Sequence, residues 1–157
     1  MRTLFAKELL KYAKKNKNIV VVSFDLGYKM WDDFSKLPGQ FYNVGSSEQA
    51  GIGIAVGLAL SGKKVFCYSI TNFLIYRPFE FIRFYINKEK IPIKLVASGR
   101  DRDYLDLGFS HWSEDDREVL KIFSNIKAFW PDNVEEIPLL VKEMITDNNP
   151  WYINLKR

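Results

Sequence analysis

Residues 19–24, Ile-Val-Val-Val-Ser-Phe, run almost wholly apolar without alternation, and a strand of this kind is stable only when both of its faces are covered. Ahead of it, Leu4, Phe5, Leu9, Leu10 and Ala13 recur at helical spacing, with Asn16 and Asn18 between as turn formers. The first segment therefore reads as helix, turn, buried strand, and the alternation continues. Phe41–Val44 predicts a short strand. A small-residue helix follows from Glu48 and ends at Gly62, and Lys64–Tyr68 is the next strand. Phe79–Tyr85 is expected to be helical with Pro78 at its first turn, and Ile93–Ala97 to form a strand after Pro92. Ser98–Trp112 reads as loop. Ser113 is a predicted N-cap for a helix over Glu114–Phe123; a strand over Ile126–Trp130, a helix over Val134–Ile145 and a last strand over Trp151–Leu155 complete the chain. Strands separated by helices imply an α/β fold: a single three-layer αβα domain over residues 1–157, with a mostly parallel sheet of about six strands.

With 157 residues, 47% of them hydrophobic and 15% aromatic, the chain can bury an ordinary single core. Its formal charge of +4 is spread among 19 acids, which disfavours a nucleic-acid partner. Lys11, Lys14, Lys15 and Lys17 read as the solvated end of the first helix, where they favour its dipole. One cysteine, Cys67, excludes an internal disulfide, and one histidine, His111, excludes a histidine-rich metal cluster. No apolar run reaches membrane-spanning length and the N-terminus is amphipathic without a cleavage signature, so a cytoplasmic protein is expected, with no membrane partner.

In parallel sheets of this kind ligands bind outside the carboxyl ends of the strands, which is where Asp25, Gly45–Glu48 and Ser98–His111 are expected. Glu48 stands out among these. It opens the helix Glu-Gln-Ala-Gly-Ile-Gly-Ile-Ala-Val-Gly-Leu-Ala, which is otherwise uncharged, and a carboxylate held at a poorly solvated helix end needs a raised pKa or a partner. The glycines of that helix, Gly51, Gly53 and Gly57, are spaced GxGxxxG and lie inside the helix rather than in a strand-to-helix turn, which excludes a dinucleotide phosphate loop. With Ala50, Ala55 and Ala59 they read instead as a smooth surface for a second helix or subunit. Neither GxSxG nor GxxxxGK[ST] occurs, so hydrolase-elbow and P-loop chemistry are disfavoured. A lone loop histidine is most often structural or solvated, yet His111 falls at the ligand edge, where imidazole can bond a substrate oxygen or carry a proton. Glu114, Asp115 and Asp116 read as acids favouring the start of a helix rather than as metal ligands, and no metal is assigned to this chain.

Taken in order, Ser23-Phe-Asp-Leu26, Phe41-Tyr-Asn-Val-Gly-Ser-Ser-Glu-Gln49, Gly53–Ala59, Tyr68–Leu74, Gly108-Phe-Ser-His-Trp-Ser-Glu-Asp115 and Phe129-Trp-Pro-Asp-Asn-Val-Glu135 form a series. It resembles the pyrimidine-binding domain of transketolase-like, thiamine-diphosphate-dependent enzymes across nearly the whole chain. The resemblance implies that Glu48 hydrogen-bonds the ring nitrogen N1′ of the cofactor's aminopyrimidine, favouring the tautomer that lets the cofactor act as its own base. It implies that Phe73 stacks on the pyrimidine, with Tyr76 the alternative in a shifted register. Asp25 becomes a supporting cofactor-site or interface residue, and His111 a proton handler or substrate-oxygen ligand. Arg77, Arg100 and Arg102 are candidates for a substrate phosphate.

In the family, the diphosphate and its divalent metal are held by a second domain with a Gly-Asp-Gly motif, and that motif is absent here. A split enzyme is therefore implied, in which a partner subunit holds Mg2+ and the diphosphate. Two chains of each kind would form a heterotetramer, with a homodimeric contact through the Glu48 helix. The activity implied is transfer of a two-carbon ketol unit between sugars or sugar phosphates. The alternatives are a decarboxylating enzyme of the deoxyxylulose phosphate synthase or 2-oxo acid decarboxylase kind, and a noncatalytic assembly or regulatory subunit.

Overall fold

The computed structural model describes residues 1–157. Six strands lie in one sheet of order β2-β1-β3-β4-β6-β5, and every neighbouring pair is parallel. They are β1 (Ile19–Ser23), β2 (Phe41–Asn43), β3 (Lys64–Ile70), β4 (Lys94–Ser98), β5 (Lys127–Phe129) and β6 (Trp151–Leu155). The helices are α1 (Arg2–Ala13), α2 (Glu48–Leu60), α3 (Thr71–Tyr76), α4 (Phe79–Phe81), α5 (Asp116–Leu120) and α6 (Ile137–Thr146).

The central strands β1, β4 and β6 are buried at every position, as their unalternating apolar sequence requires. Successive residues of one strand serve opposite layers. Val20 and Val22 join Ile52, Leu74 and Leu95 in one core, whereas Ile19 and Val21 join Phe5, Leu9, Val141 and Met144 of α1 and α6 in the other. The three-layer αβα arrangement follows.

Several local expectations are revised. Residues 71–76, to which the sequence assigned no helix, form α3 directly at the end of β3, which itself runs to Ile70. The helix expected over Phe79–Tyr85 is only a turn of α-helix, continued as a π-helix over Ile82–Lys88. Ser113 is not an N-cap. It is buried, its hydroxyl donates to Gly99 O at 2.9 Å, and its backbone bridges Asp101, so α5 starts only at Asp116. The last helix is capped by a reciprocal Asn133–Glu136 box, with a 3-10 turn over Val134–Glu136 before α6.

Candidate functional site

Because all six strands run parallel, the segments after β1, β2, β3 and β4 emerge at one edge, and they carry Asp25, Glu48, α3 and the 99–113 segment respectively. Gly45 takes a φ of +69° just before α2, a left-handed turn that redirects the chain from β2 into the helix. Gly51 then lets α2 lie against the core: a β-carbon there would stand 2.2 Å from Phe24 Cε1 and 2.8 Å from Val44 Cγ2. This close seating fixes Glu48, in the first turn of α2, at 3% exposure. The positive end of the helix favours its carboxylate.

The carboxylate has one partner. Arg77, which follows α3, donates from Nη1 to Glu48 Oε1 at 2.8 Å, and its guanidinium carbon lies 3.9 Å from the centroid of the Phe73 ring. Phe73 in turn meets the His111 imidazole edge-on, with ring centroids 5.0 Å apart. Glu48, Arg77, Phe73 and His111 therefore form one continuous chain of contacts drawn from α2, α3 and the turn over Phe109–His111. That turn is held from α3 by Asn72, whose amide nitrogen donates to the carbonyls of Phe109 and Ser110 at 3.3 and 3.0 Å. Ser110 Oγ lies 3.0 Å from His111 Nδ1, and no protein group bonds Nε2.

The other predicted site residues lie outside this cluster. Tyr76 lines a separate cleft with Asn72, Phe109, Ser110, Trp112 and Asp115. Burial, followed by the nearby Asp115 carboxylate, pushes its phenol well above the usual range, so it stays protonated. Asp25 is exposed, in a left-handed turn with φ +58°, its backbone N–H donating to Asn43 Oδ1 at 3.0 Å. It borders a cleft of about 420 Å3 with Arg2, Gly27, Tyr28, Ile70, Tyr104 and Arg157, at the junction where the strand order reverses between β1 and β3.

Two of the candidate phosphate-binding arginines are committed elsewhere. Arg100 is only 2% exposed and donates to Pro131 O, Asn154 O and Asp132 Oδ1; it braces the ends of β4 and β6 and offers nothing to a substrate. Arg102 pairs on the surface with Glu114 at 2.8 Å over the Trp112 ring. Arg77, the third, is half exposed and its guanidinium is turned onto Glu48 and Phe73.

Asp116 lies in the first turn of α5, as expected of an acid favouring a helix start, but it is turned into the interior. It is 1% exposed, and Oδ2 accepts from Trp130 Nε1, Tyr152 Oη and Asn154 Nδ2 at 2.8, 2.7 and 2.6 Å. This network, for which the sequence carries no local signal, fastens the segment after His111 to β6. No side-chain group of three or more His, Cys, Asp or Glu is arranged to hold a metal ion, and no helix is long and apolar enough to cross a membrane.

The profile of the transketolase pyrimidine-binding domain matches residues 1–157. The chain belongs to that family. Among curated relatives, this transketolase pyrimidine-binding domain is 33% identical to a subunit of the apulose-4-phosphate transketolase of Phocaeicola vulgatus, over 99% of this chain and 51% of the relative. It is 30% identical to a putative transketolase C-terminal section of Methanocaldococcus jannaschii, over 100% of this chain and 50% of the relative. The chain thus spans about half the length of these curated relatives. Among solved structures, a split gene transketolase, described as an inactive beta4 tetramer, superposes with a TM-score of 0.85 at 29% identity, over 99% of this chain and 50% of that one.

Proposed function

We propose that this chain is the pyrimidine-binding part of a split, thiamine-diphosphate-dependent transketolase-like transferase. The observation that carries the reading is the buried carboxylate of Glu48 set beside the flat face of Phe73. The slot fits an aminopyrimidine, because a planar nitrogen-donor group, the Arg77 guanidinium, already lies on that face and bonds that carboxylate. Glu48 would hold the pyrimidine's ring nitrogen and share a proton with it in a site sheltered from water. Phe73 would fix the plane of the ring by stacking. When bound, the cofactor would supply a thiazolium carbon that stabilises a carbanion, and with it the capacity to carry a two-carbon ketol unit between sugars or sugar phosphates.

His111 would face the reacting end of the site. With Nδ1 beside Ser110 Oγ, its Nε2 is available to bond a substrate oxygen or move a proton. Asp25, in its cleft beyond Ile70, would support the cofactor or the subunit contact. The relatives named as a transketolase subunit and as a transketolase C-terminal section favour ketol transfer over the decarboxylating alternatives, and they favour a partner chain, which would hold the diphosphate and Mg2+. The outward face of α2, with Ala50, Ile54 and Gly57 free of contacts within the chain's core, suits a contact with a second copy in a heterotetramer.

The test is to combine the chain with a diphosphate-binding subunit and measure thiamine diphosphate binding and ketol transfer to aldose acceptors, with and without Mg2+. Glu48→Gln should slow exchange of the thiazolium C2 proton while the complex still assembles. Exchange at the wild-type rate would remove Glu48 from its role, and turnover of 2-oxo acids without ketol transfer would reassign the chemistry.

A further inference from the structure

Arg77 and Arg100 are both paired with carboxylates near the ligand edge, and they differ in kind. Arg100 is 2% exposed and spends its guanidinium on three acceptors, as a structural arginine does. The Arg77 side chain is 48% exposed and makes a single hydrogen bond, to a carboxylate that is 3% exposed. The pair thus joins a fixed, buried anion to a cation that is half in water.

Glu48 cannot be left alone at that depth, since an unpaired buried carboxylate is strongly disfavoured. While no ligand is present, something must satisfy it. Guanidinium is suited to this: it is planar, donates in its own plane, and is weakly enough hydrated to stack on an aromatic ring. Those demands are the ones an aminopyrimidine would meet here, with its flat face on Phe73 and a ring nitrogen against the carboxylate. The two groups compete for the same ring face and the same oxygen, so they cannot be present together.

We propose that Arg77 is an internal placeholder, occupying the pyrimidine position in the cofactor-free chain and leaving it when the cofactor enters. This rests on the pyrimidine-binding reading above. The exit needs no opening of the core. Arg77 lies between the end of α3 and Pro78, and with its side chain already half exposed, rotation of its own torsions carries the guanidinium into solvent. Loading is then an exchange of one partner of Glu48 for another, and the apparent affinity for cofactor is lowered by the fraction of chains in which Arg77 holds the slot. Arg77 acts on loading rather than on reacting atoms.

The experiment uses the full chain with its diphosphate-binding partner and two readouts other than turnover. In nuclear magnetic resonance of the wild-type complex, the Arg77 side-chain signals should carry the upfield ring-current shift of a group over Phe73, and lose it as thiamine diphosphate and Mg2+ are added. In calorimetric titration, Arg77→Ala should bind the cofactor about tenfold more tightly and Arg77→Lys, which keeps the charge without the flat stack, to an intermediate degree. Glu48→Gln should bind more weakly. Retention of the ring-current shift at saturation, or unchanged or weaker binding by Arg77→Ala, overturns the placeholder even while Glu48→Gln upholds the pyrimidine reading. Wild-type binding by Glu48→Gln overturns that reading and the placeholder with it. Should Arg77→Ala fail to fold, the wild-type ring-current measurement decides alone.

Discussion

The Asn72 amide holds the carbonyl of Ser110 at 3.0 Å, tying α3 to the turn that carries His111. Since Phe73 is the next residue, one short helix sets both the aromatic face and the distance to the imidazole beside it. Asn72→Ala should leave the fold intact, at a cost of about 1 kcal/mol, because the bond lies at the surface. In an active complex its catalytic effect should be larger, roughly tenfold in kcat, as the turn over Phe109–His111 loosens and His111 loses its position. Hydrogen exchange at residues 109–112 alongside kcat checks this. A fall in stability with kcat unchanged would separate the turn from the chemistry.

The layers of the fold were legible because they rest on patterns that tertiary context seldom overrides. The run at Ile19–Ser23 demanded cover on both faces, and the final strand over Trp151–Leu155 lies where its sequence indicated. Glu48 was legible for a similar reason, a single charge beginning an apolar helix. What escaped was decided by contacts distant in sequence. α3 is six residues long, starts immediately after the last residue of β3 without a turn former, and is stabilised by burial of Leu74 and Ile75 rather than by propensity. Ser113 and Asp116 have the residue types of a helix start, and only the arrival of Gly99, Trp130, Tyr152 and Asn154 from other segments turns them inward. Arg100 and Arg77 have equal standing in the sequence. Their separation into strut and site residue depends on β6 and α2, which no local window contains.

Asp116 should be among the most costly positions in the chain. Asp116→Ala leaves three donors, the buried Tyr152 and Asn154 and the partly buried Trp130, without their acceptor. The loss should be about 3 kcal/mol or more, on the order of a 10 °C drop in Tm for a domain of this size. Asp116→Asn keeps the shape and one acceptor oxygen and should lose about half as much. Thermal unfolding of both variants tests the network, and equal Tm values for Asp116→Ala and wild type would show that the donors find other partners.

Lys94 gives the chain an alkaline dependence of stability at the edge opposite the site. Its ammonium, buried at the start of β4, donates to the carbonyls of Asp147 and Asn149. Burial lowers its pKa from 10.5 to about 7, against the opposing pull of Asp147 and with help from Lys64 and Lys127. Between those two values the unfolded chain holds a proton that the folded chain has released, so folding gains as pH rises from about 7 to 10.5. The gain is up to about 1 kcal/mol per pH unit. Urea unfolding midpoints of wild type and Lys94→Met across this range isolate the effect, since other groups titrate alike in both. The wild type should gain on the variant as pH rises; parallel curves would mean that the two carbonyls hold the ammonium charged.

Gly51 and Gly57 belong to one helix and should respond oppositely to the same change. At Gly51 an added β-carbon meets Phe24 and Val44 at 2.2 and 2.8 Å, and Phe24 is itself fully buried, so it cannot give way. The overpacking, about 1–3 kcal/mol, outweighs the roughly 1 kcal/mol that alanine contributes to a helix interior. Gly51→Ala should destabilise the chain and disturb Glu48, three residues earlier in α2. At Gly57 nothing lies within 4 Å of the added carbon, so only the helix propensity remains. Gly57→Ala should stabilise the isolated chain by about 1 kcal/mol. If the face formed with Ala50 and Ile54 meets a second copy closely, the same methyl group should weaken the assembled complex. Denaturant unfolding of the isolated chain and sedimentation of the complex measure the two effects separately. A stabilised chain whose assembly is unaltered would mean that subunits meet elsewhere than at α2.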